Sequence, residues 1–385
     1  DFSNMFYKQY EFNQDISDWD VSNGTNFSRM FYRAYKFNQD LSDWDVSNGT
    51  DFSWMFNHAA KFNQELGDWD IGNASPYGIV GMFYQASDFN GDLSDWDVSH
   101  IVSFNNLFYG TSFNQDIGDW DVSNAHDFYA MFTGAPFDQD VSGWDVSNGT
   151  NFSYMFKGTP LNQDISDWDV SNGTIFAGMF DRTSAFNQDI GDWDVSKSSH
   201  FGGMFYDAKA FNQDISDWDV SNATFFVGMF ERASSFNQDI SDWDLSKARW
   251  VASMFKDADA FDQDLQYWDL DEIRQNDMQK FFEGADKMLA KGWSATPLPS
   301  EFGKTRITDR SSLETAVAQW LADEDAATET YGDINRWDVS GVTDFSNLFE
   351  NSDFNSDISN WDVSNGTNFD EMFLYAYNFD QDLSE

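Results

Sequence analysis

The tryptophan of a WDVS-like element returns thirteen times, at Trp19, Trp44, Trp69, Trp96, Trp120, Trp144, Trp168, Trp193, Trp218, Trp243, Trp268, Trp337 and Trp361. Successive intervals are 24 to 27 residues, apart from one of 69 between Trp268 and Trp337. No other feature constrains the fold as strongly. A unit of about 25 residues cannot close a core of its own, so each copy has to bury its apolar face on its neighbours in a quasi-one-dimensional stack.

In the first full copy the apolar positions are Phe12, Ile16, Trp19, Val21, Phe27, Met30 and Phe31. Apolar and polar residues are interspersed from Ile16 to Val21, which predicts a short strand. Phe27, Met30 and Phe31 stand at i, i+3 and i+4, which predicts one or two helical turns. The SNGT between them is a turn signal. The expected fold class is an α/β solenoid of stacked strand, turn and short-helix repeats with a parallel β ladder, its rungs about 4.8 Å apart. Phe12, Trp19, Val21, Phe31 and their equivalents are its expected core.

The 69-residue interval divides this scheme into two arrays separated by capping helices. Residues 1–270 form the first array, 271–305 a closing helix and proline-containing linker, 306–335 a helix that opens the second array, and 336–385 that array. Ile273, Met278, Phe281, Phe282, Ala285, Met288 and Leu289 carry the closing helix, over 271–289. Pro297 and Pro299 push the residues before them out of helical geometry and make an extended linker. Ser311 with Glu314 reads as a capping box, followed by Leu313, Val317, Trp320 and Leu321 on one helical face.

Composition narrows the partners. Asp and Glu number 67 against 21 Lys and Arg, a formal charge of −46, which disfavours nucleic acid and anionic membrane surfaces. Cysteine is absent, so disulfide and thiolate chemistry are unavailable. No apolar run reaches the 18 residues of a membrane span. With 40 Phe and 17 Trp, the core has to be built of rings packed at offsets and edges. Eleven of the 13 methionines precede a phenylalanine and are read as filler of irregular space in that core.

Stacking turns each repeat position into a row. Asp20, Asp45, Asp70, Asp97 and their equivalents form one row of carboxylates, and Asp15, Asp40, Glu65 and Asp92 begin another. At about 4.8 Å, unpaired carboxylates repel by on the order of 1 kcal/mol per neighbour even in water. Two compensations are open: hydrogen bonds to backbone N–H groups two residues on, or calcium held between rungs at Asp20, Asp45, Asp70 and Asp97. Asn13, Asn38, Asn63, Asn90 and Asn114 form a third row, read as a ladder that satisfies backbone groups. Thr25, Thr50, Thr150, Thr174 and Thr224 form an interrupted fourth. Asn-X-Ser/Thr triplets offer N-glycosylation acceptors at Asn23, Asn48, Asn148, Asn172, Asn222 and Asn365, with Asn26, Asn73 and Asn151 as weaker sites.

Catalysis finds no foothold. His58, His100, His126 and His200 lie in unrelated contexts, no HExxH, GxSxG or phosphate-binding loop occurs, and no carboxylate pair stands out from the rows. The expectation is a protein that is not an enzyme.

The repeat FNQDISDWDVSN and the stretch ITDRSSLETAVAQWLADEDAATETYGDINRWDVSGVTDFSNLF from Ile307 resemble the BspA-like leucine-rich-repeat surface proteins, which include the lipoprotein-associated repeat of unknown function. This chain departs from the family's SNVTNM in having Gly and Phe, as in Ser22-Asn23-Gly24-Thr25-Asn26-Phe27. The resemblance implies a secreted or surface-anchored protein without an assigned activity. With Asp1 in phase with Asn26 and Glu385 in phase with Asp18, both ends are expected to be open, so that chains meet head to tail. The expected function is a structural subunit of an extracellular fibre, sheath or surface appendage. The alternative is a surface adhesin or ligand-binding repeat module that engages other surface proteins or glycans and shows an exposed patch departing from the repeat.

Overall fold

The computed structural model describes residues 1–270, 273–298 and 302–383, with Glu329 through its backbone only. Two compact units emerge, Asp1–Gln263 with Glu272–Pro297 and Asp264–Asp271 with Leu298–Glu385. The division is interleaved, unlike the clean break expected near residue 270.

In the first unit each repeat hydrogen-bonds to the next along one segment. Phe27, Arg29, Phe31 and Arg33 donate their N–H groups to the carbonyls of Asp51, Ser53, Met55 and Asn57, at 2.7 to 3.0 Å. The N–H groups between them turn back locally, Met30 to Phe27, Tyr32 to Arg29 and Ala34 to Phe31. The expected helical turns are therefore linked β-turns. Arg29 and Arg33 occupy the left-handed region, at φ 54° and 58°, as the third residue of such a turn requires. This geometry reproduces the i, i+3, i+4 burial of a helix, and that is why the spacing of Phe27, Met30 and Phe31 misleads.

The strand expected from Ile16 to Val21 is also absent. Trp19 donates its N–H to the Ile16 carbonyl and Gly24 to that of Val21, so this stretch is a pair of turns. Strand-like pairing between these repeats is limited to single parallel bridges, such as Asn26 with Asp51 and Ser103 with Asp127. Among the described residues the only two-residue strands lie in the second unit.

The core is the expected stack of rings. Phe31 packs 4.0 Å from Phe37, the next copy's equivalent of Phe12, and 5.4 Å from Phe56, its own equivalent in that copy, and Trp44 lies parallel to Trp69 at 6.5 Å. Each indole also ties two repeats together: Trp44 Nε1 donates to the Ile16 carbonyl and Trp69 Nε1 to that of Leu41, a contact repeated through Trp243 and Ile215. Trp19 differs from its equivalents. It is 37% exposed where Trp44 is 3%.

Gly24 and Phe27 form a coupled pair. The Phe27 ring edge fills the space that a Cβ on Gly24 would need, and the same holds for Gly49 with Phe52 and Gly173 with Phe176. Glycine and phenylalanine in SNGTNF are thus one packing solution: the glycine admits the ring.

The helix expected over 271–289 resolves into a further copy of the turn segment. Lys280 and Gly284 take the two left-handed positions, at φ 59° and 75°, and Ser253, Phe255 and Asp257 donate to the carbonyls of Gln279, Phe281 and Glu283. Among the described residues there, only α1, Asp286–Ala290, is α-helical, after a 3-10 turn at Gln275–Met278. Asp271 and Pro299 lie outside the described residues.

The second unit contains the expected amphipathic helix, α2, Arg310–Ala322. Its N-cap is Asp309, whose carboxylate accepts the Ser312 N–H at 2.9 Å, not the Ser311 of the capping box. Leu313, Ala316, Val317 and Trp320 are buried, whereas Leu321 is exposed. A second helix, α3, Glu324–Tyr331, follows on an Asp323 cap. A parallel pair joins β1, Thr305–Arg306, to β2, Trp337–Asp338. The helices cover a core of Trp337, Val339, Phe345, Phe349 and Trp361.

Candidate functional site

The rows expected to carry function are occupied with holding turns. Asp20 Oδ1 accepts both the N–H and the hydroxyl of Ser22, Asp45 does the same with Ser47, Asp97 with Ser99, and Asp70 accepts the Gly72 N–H. The serine hydroxyl, then its N–H, hold the Asp20, Asp45 and Asp97 carboxyls below the usual carboxylate value. Asp20 opposes the shift at Asp45, which is the expected repulsion along the row. Among the described residues no three His, Cys, Asp or Glu side chains gather as metal ligands.

The asparagine row is a ladder of the expected kind, although it runs along the exposed surface. Asn13 Oδ1 accepts the Asn38 N–H, Asn38 Oδ1 that of Asn63, and Asn63 Oδ1 that of Asn90. Asp138 takes the same place for Asn162. The threonine hydroxyls are likewise engaged, Thr50 on the Thr25 carbonyl and Thr174 on that of Thr150.

The glycosylation acceptors Asn23, Asn48, Asn148, Asn172, Asn222 and Asn365 are all exposed. Their amides have a second role invisible in the triplet. Asn48 Nδ2 donates to the Ser22 carbonyl, Asn148 to Ser123, Asn172 to Ser147, Asn222 to Ser196 and Asn365 to Ser340, at 2.7 to 3.0 Å. A glycan on that nitrogen would replace one of its two hydrogens. Where lysine takes the position, Lys197 Nζ donates to Asn172 Oδ1.

One face departs from this regularity. The residue after the Met-Phe pair and the two left-handed positions contribute no ring to the core, and they vary from repeat to repeat. In the early repeats the residue after the pair is mostly tyrosine. Tyr7 stacks on Tyr32 at 4.8 Å and Tyr84 on Tyr109 at 4.6 Å. Asn57 interrupts the tyrosine row, with the His58 ring between Tyr32 and Tyr84. Asn57 is buried and its Oδ1 lies 2.6 Å from His58 Nδ1; burial, then Arg33, lowers the His58 pKa. Trp54 sits at φ 59°, lies against Gly81 and meets Tyr84 edge-on at 5.7 Å. Together with Arg29, Asn106 and Tyr129 these residues line a cleft of about 650 Å³.

In later repeats the same positions carry ion pairs, Lys157 with Asp181 at 2.6 Å, Arg232 with Asp207 at 3.5 Å and Lys256 with Glu231 at 3.1 Å. The second unit has a cleft of about 890 Å³ between Trp320, Glu324, Asp333 and Asp357. The tyrosine cleft was legible only as exposed-type aromatics after the Met-Phe pair; the turn geometry that gathers them was not.

A family model described as a Mycoplasma protein of unknown function, DUF285, matches residues 1–80, 77–160, 137–225, 199–294 and 319–385. No curated protein and no solved structure matches the chain. The match supports a repeat family; the finer likeness to BspA-like leucine-rich repeats stays a resemblance.

Proposed function

We propose that this chain, which belongs to the DUF285 family, is a solenoid scaffold that presents a variable face for binding at a cell surface, as an adhesive or ligand-binding repeat module. One observation carries this reading: rows that bond repeat to repeat keep their residues, while the turn face changes and in the early repeats opens an aromatic cleft. Exposed aromatic patches that depart from their surroundings mark interaction sites. The test is attachment of beads coated with the full chain to cells and to extracellular matrix. Replacing Tyr32 and Tyr84 with Asn, the residue already present at Asn57, should lower the melting temperature only modestly, leave the chain folded and remove attachment. Attachment unaffected by the exchange rejects the reading.

A fibre or sheath subunit is the second reading. It is favoured by junctions that use the same bonds at nearly every repeat, so that further repeats of another chain can add by the same contacts. Electron microscopy of native material decides it, since dispersed particles alone are incompatible with a fibre. Calcium between the Asp rows is tested by melting in chelator and in millimolar calcium, where an identical curve removes it.

A further inference from the structure

The cleft between Tyr7 and Tyr129 differs from the rest of the molecule in charge as well as in shape. None of its ten lining residues is acidic, in a chain of net charge −46. Lys8, beside Tyr7 at the cleft's edge, and Arg29 and Arg33 form no ion pair among the described residues. The Lys8 ammonium lies 4.9 Å from the Tyr7 ring centre and the Arg33 guanidinium 5.5 Å from that of Tyr32, and Arg33 Nε is buried without a hydrogen-bond partner. The acidic rows elsewhere repel a densely charged polyanion over a Debye length of about 8 Å, which disfavours nucleic acid. A ligand with isolated carboxylates meets the local cations instead.

The contact groups narrow the class further. The paired tyrosines use their faces on each other and leave edges and hydroxyls for a ligand. Trp54 adds a half-buried flat indole, and Asn106 adds an amide. Flat apolar surface interleaved with hydroxyl and amide groups suits a molecule that has C–H faces and many hydroxyls. A peptide strand finds no edge here, because the backbone N–H groups of Arg29, Arg33, His58 and Gln85 are already spent on the next repeat.

The geometry points to a short oligosaccharide bearing a carboxylate sugar, of the uronic or sialic acid type, as the ligand of this cleft, with its pyranose face on Trp54, its hydroxyls on Tyr32, Tyr84 and Asn106, and its carboxylate on Arg29. This rests on the binding reading proposed above and names its ligand.

The test titrates the full chain with four probes: a tetrasaccharide of alternating glucuronate and N-acetylglucosamine, sialyllactose, neutral chitotetraose and hexaglutamate. At least one acidic sugar should bind at a single site, tenfold or more tighter than chitotetraose and hexaglutamate, and its preference over the other separates a polysaccharide source from a terminal sialate. Trp54→Gly and Arg29→Gly should each weaken it at least tenfold with unchanged melting, since glycine holds that row at Gly81, Gly178, Gly203 and Gly228. Equal affinity for hexaglutamate or chitotetraose, no binding of either acidic sugar, or binding indifferent to both variants overturns the assignment. If the sugars fail while Trp54→Gly still abolishes attachment to cells, the ligand class is wrong and the binding reading stands; if attachment is also unmoved, both fall.

Discussion

The ring rows and the turn face of the first unit obey different rules. Phe211 is fully buried, packs at 3.9 Å on Phe205 and lies about 6 Å from Phe186 and Phe236, so its shape is fixed by three neighbours. Gln85, at φ 54°, is exposed and fixed in nothing but its backbone. A repeat protein holds residue identity where one copy passes a ring or a hydrogen bond to the next, and releases it where only a dihedral is demanded. Released positions are where a binding surface can vary without cost to the stack.

Breaking a ring row gives the largest effect. Phe211→Ala should destabilise by about 3–5 kcal/mol, read as a lowered denaturation midpoint; an unchanged midpoint would count against the stacking described. Acid comes next, because it acts on many turns together. Asp20, Asp45, Asp97, Asp121, Asp169 and Asp194 all have carboxyl pKa values lowered by their serines. A folded pKa below the unfolded one contributes stability that is complete above about pH 4 and lost as pH falls through the folded value. Protonation also relieves the −46 repulsion, so the melt should be run at high salt, where screening removes that opposing gain. A melting temperature flat from pH 5 to pH 2 would show that the turns do not depend on the carboxylates.

Trp218→Phe ranks below these. It removes the Nε1 bond to the Ile190 carbonyl, which keeps the Trp193 N–H as a second donor, so the expected cost is about 2 kcal/mol from the hydrogen bond and lost ring area. Asn212→Ala removes the acceptor of the Asn237 N–H at a half-buried site, for about 1 kcal/mol. Asn212→Asp should be nearly neutral, since Asp138 already serves Asn162 in the same way. A loss from Asn212→Asp as large as from Asn212→Ala would mean that the amide, not the acceptor oxygen, matters.

The sequence made the period, the ring core and the asparagine ladder readable, because each depends on side-chain identity recurring at fixed spacing. The turn segment was not readable. Phe27, Met30 and Phe31 share a face in linked turns as they would in a helix, and the same ambiguity turned Met278, Phe281 and Phe282 into an expected cap. The one signal against a helix was glycine just before or after the Met-Phe pair, at Gly178, Gly203, Gly228 and Gly134, where a helix interior disfavours it. The cleft could not be read either, since Tyr32, Trp54, His58 and Tyr84 come together only once those turns set their direction. Ser311 outcompeted Asp309 as a cap on paper because the capping box is a two-residue pattern, whereas Asp309 needed only its own carboxylate.

The sharpest separation of identity from dihedral lies within a single row, where the effects are smallest. Gln85, Gly110, Gly134 and Gly158 occupy the same left-handed position in successive repeats, at φ 54° to 71°. A Cβ on Gly134 would meet nothing nearer than the Gly110 Cα at 4.0 Å, so Gly134→Ala carries no clash and tests conformation alone. A side chain in this region costs about 1–2 kcal/mol, offset by the 0.4–1 kcal/mol or so that alanine recovers from a less disordered unfolded chain. Gly134→Ala should therefore destabilise by about 0–1.6 kcal/mol, centred below 1, and Gln85→Gly should stabilise by a similar amount through the same two terms reversed. Opposite shifts in the denaturation midpoints of the two variants establish that this row is held by φ alone. Shifts of the same sign would mean that the Gln85 side chain contributes contacts of its own, and that the turn face is less free than its variability implies.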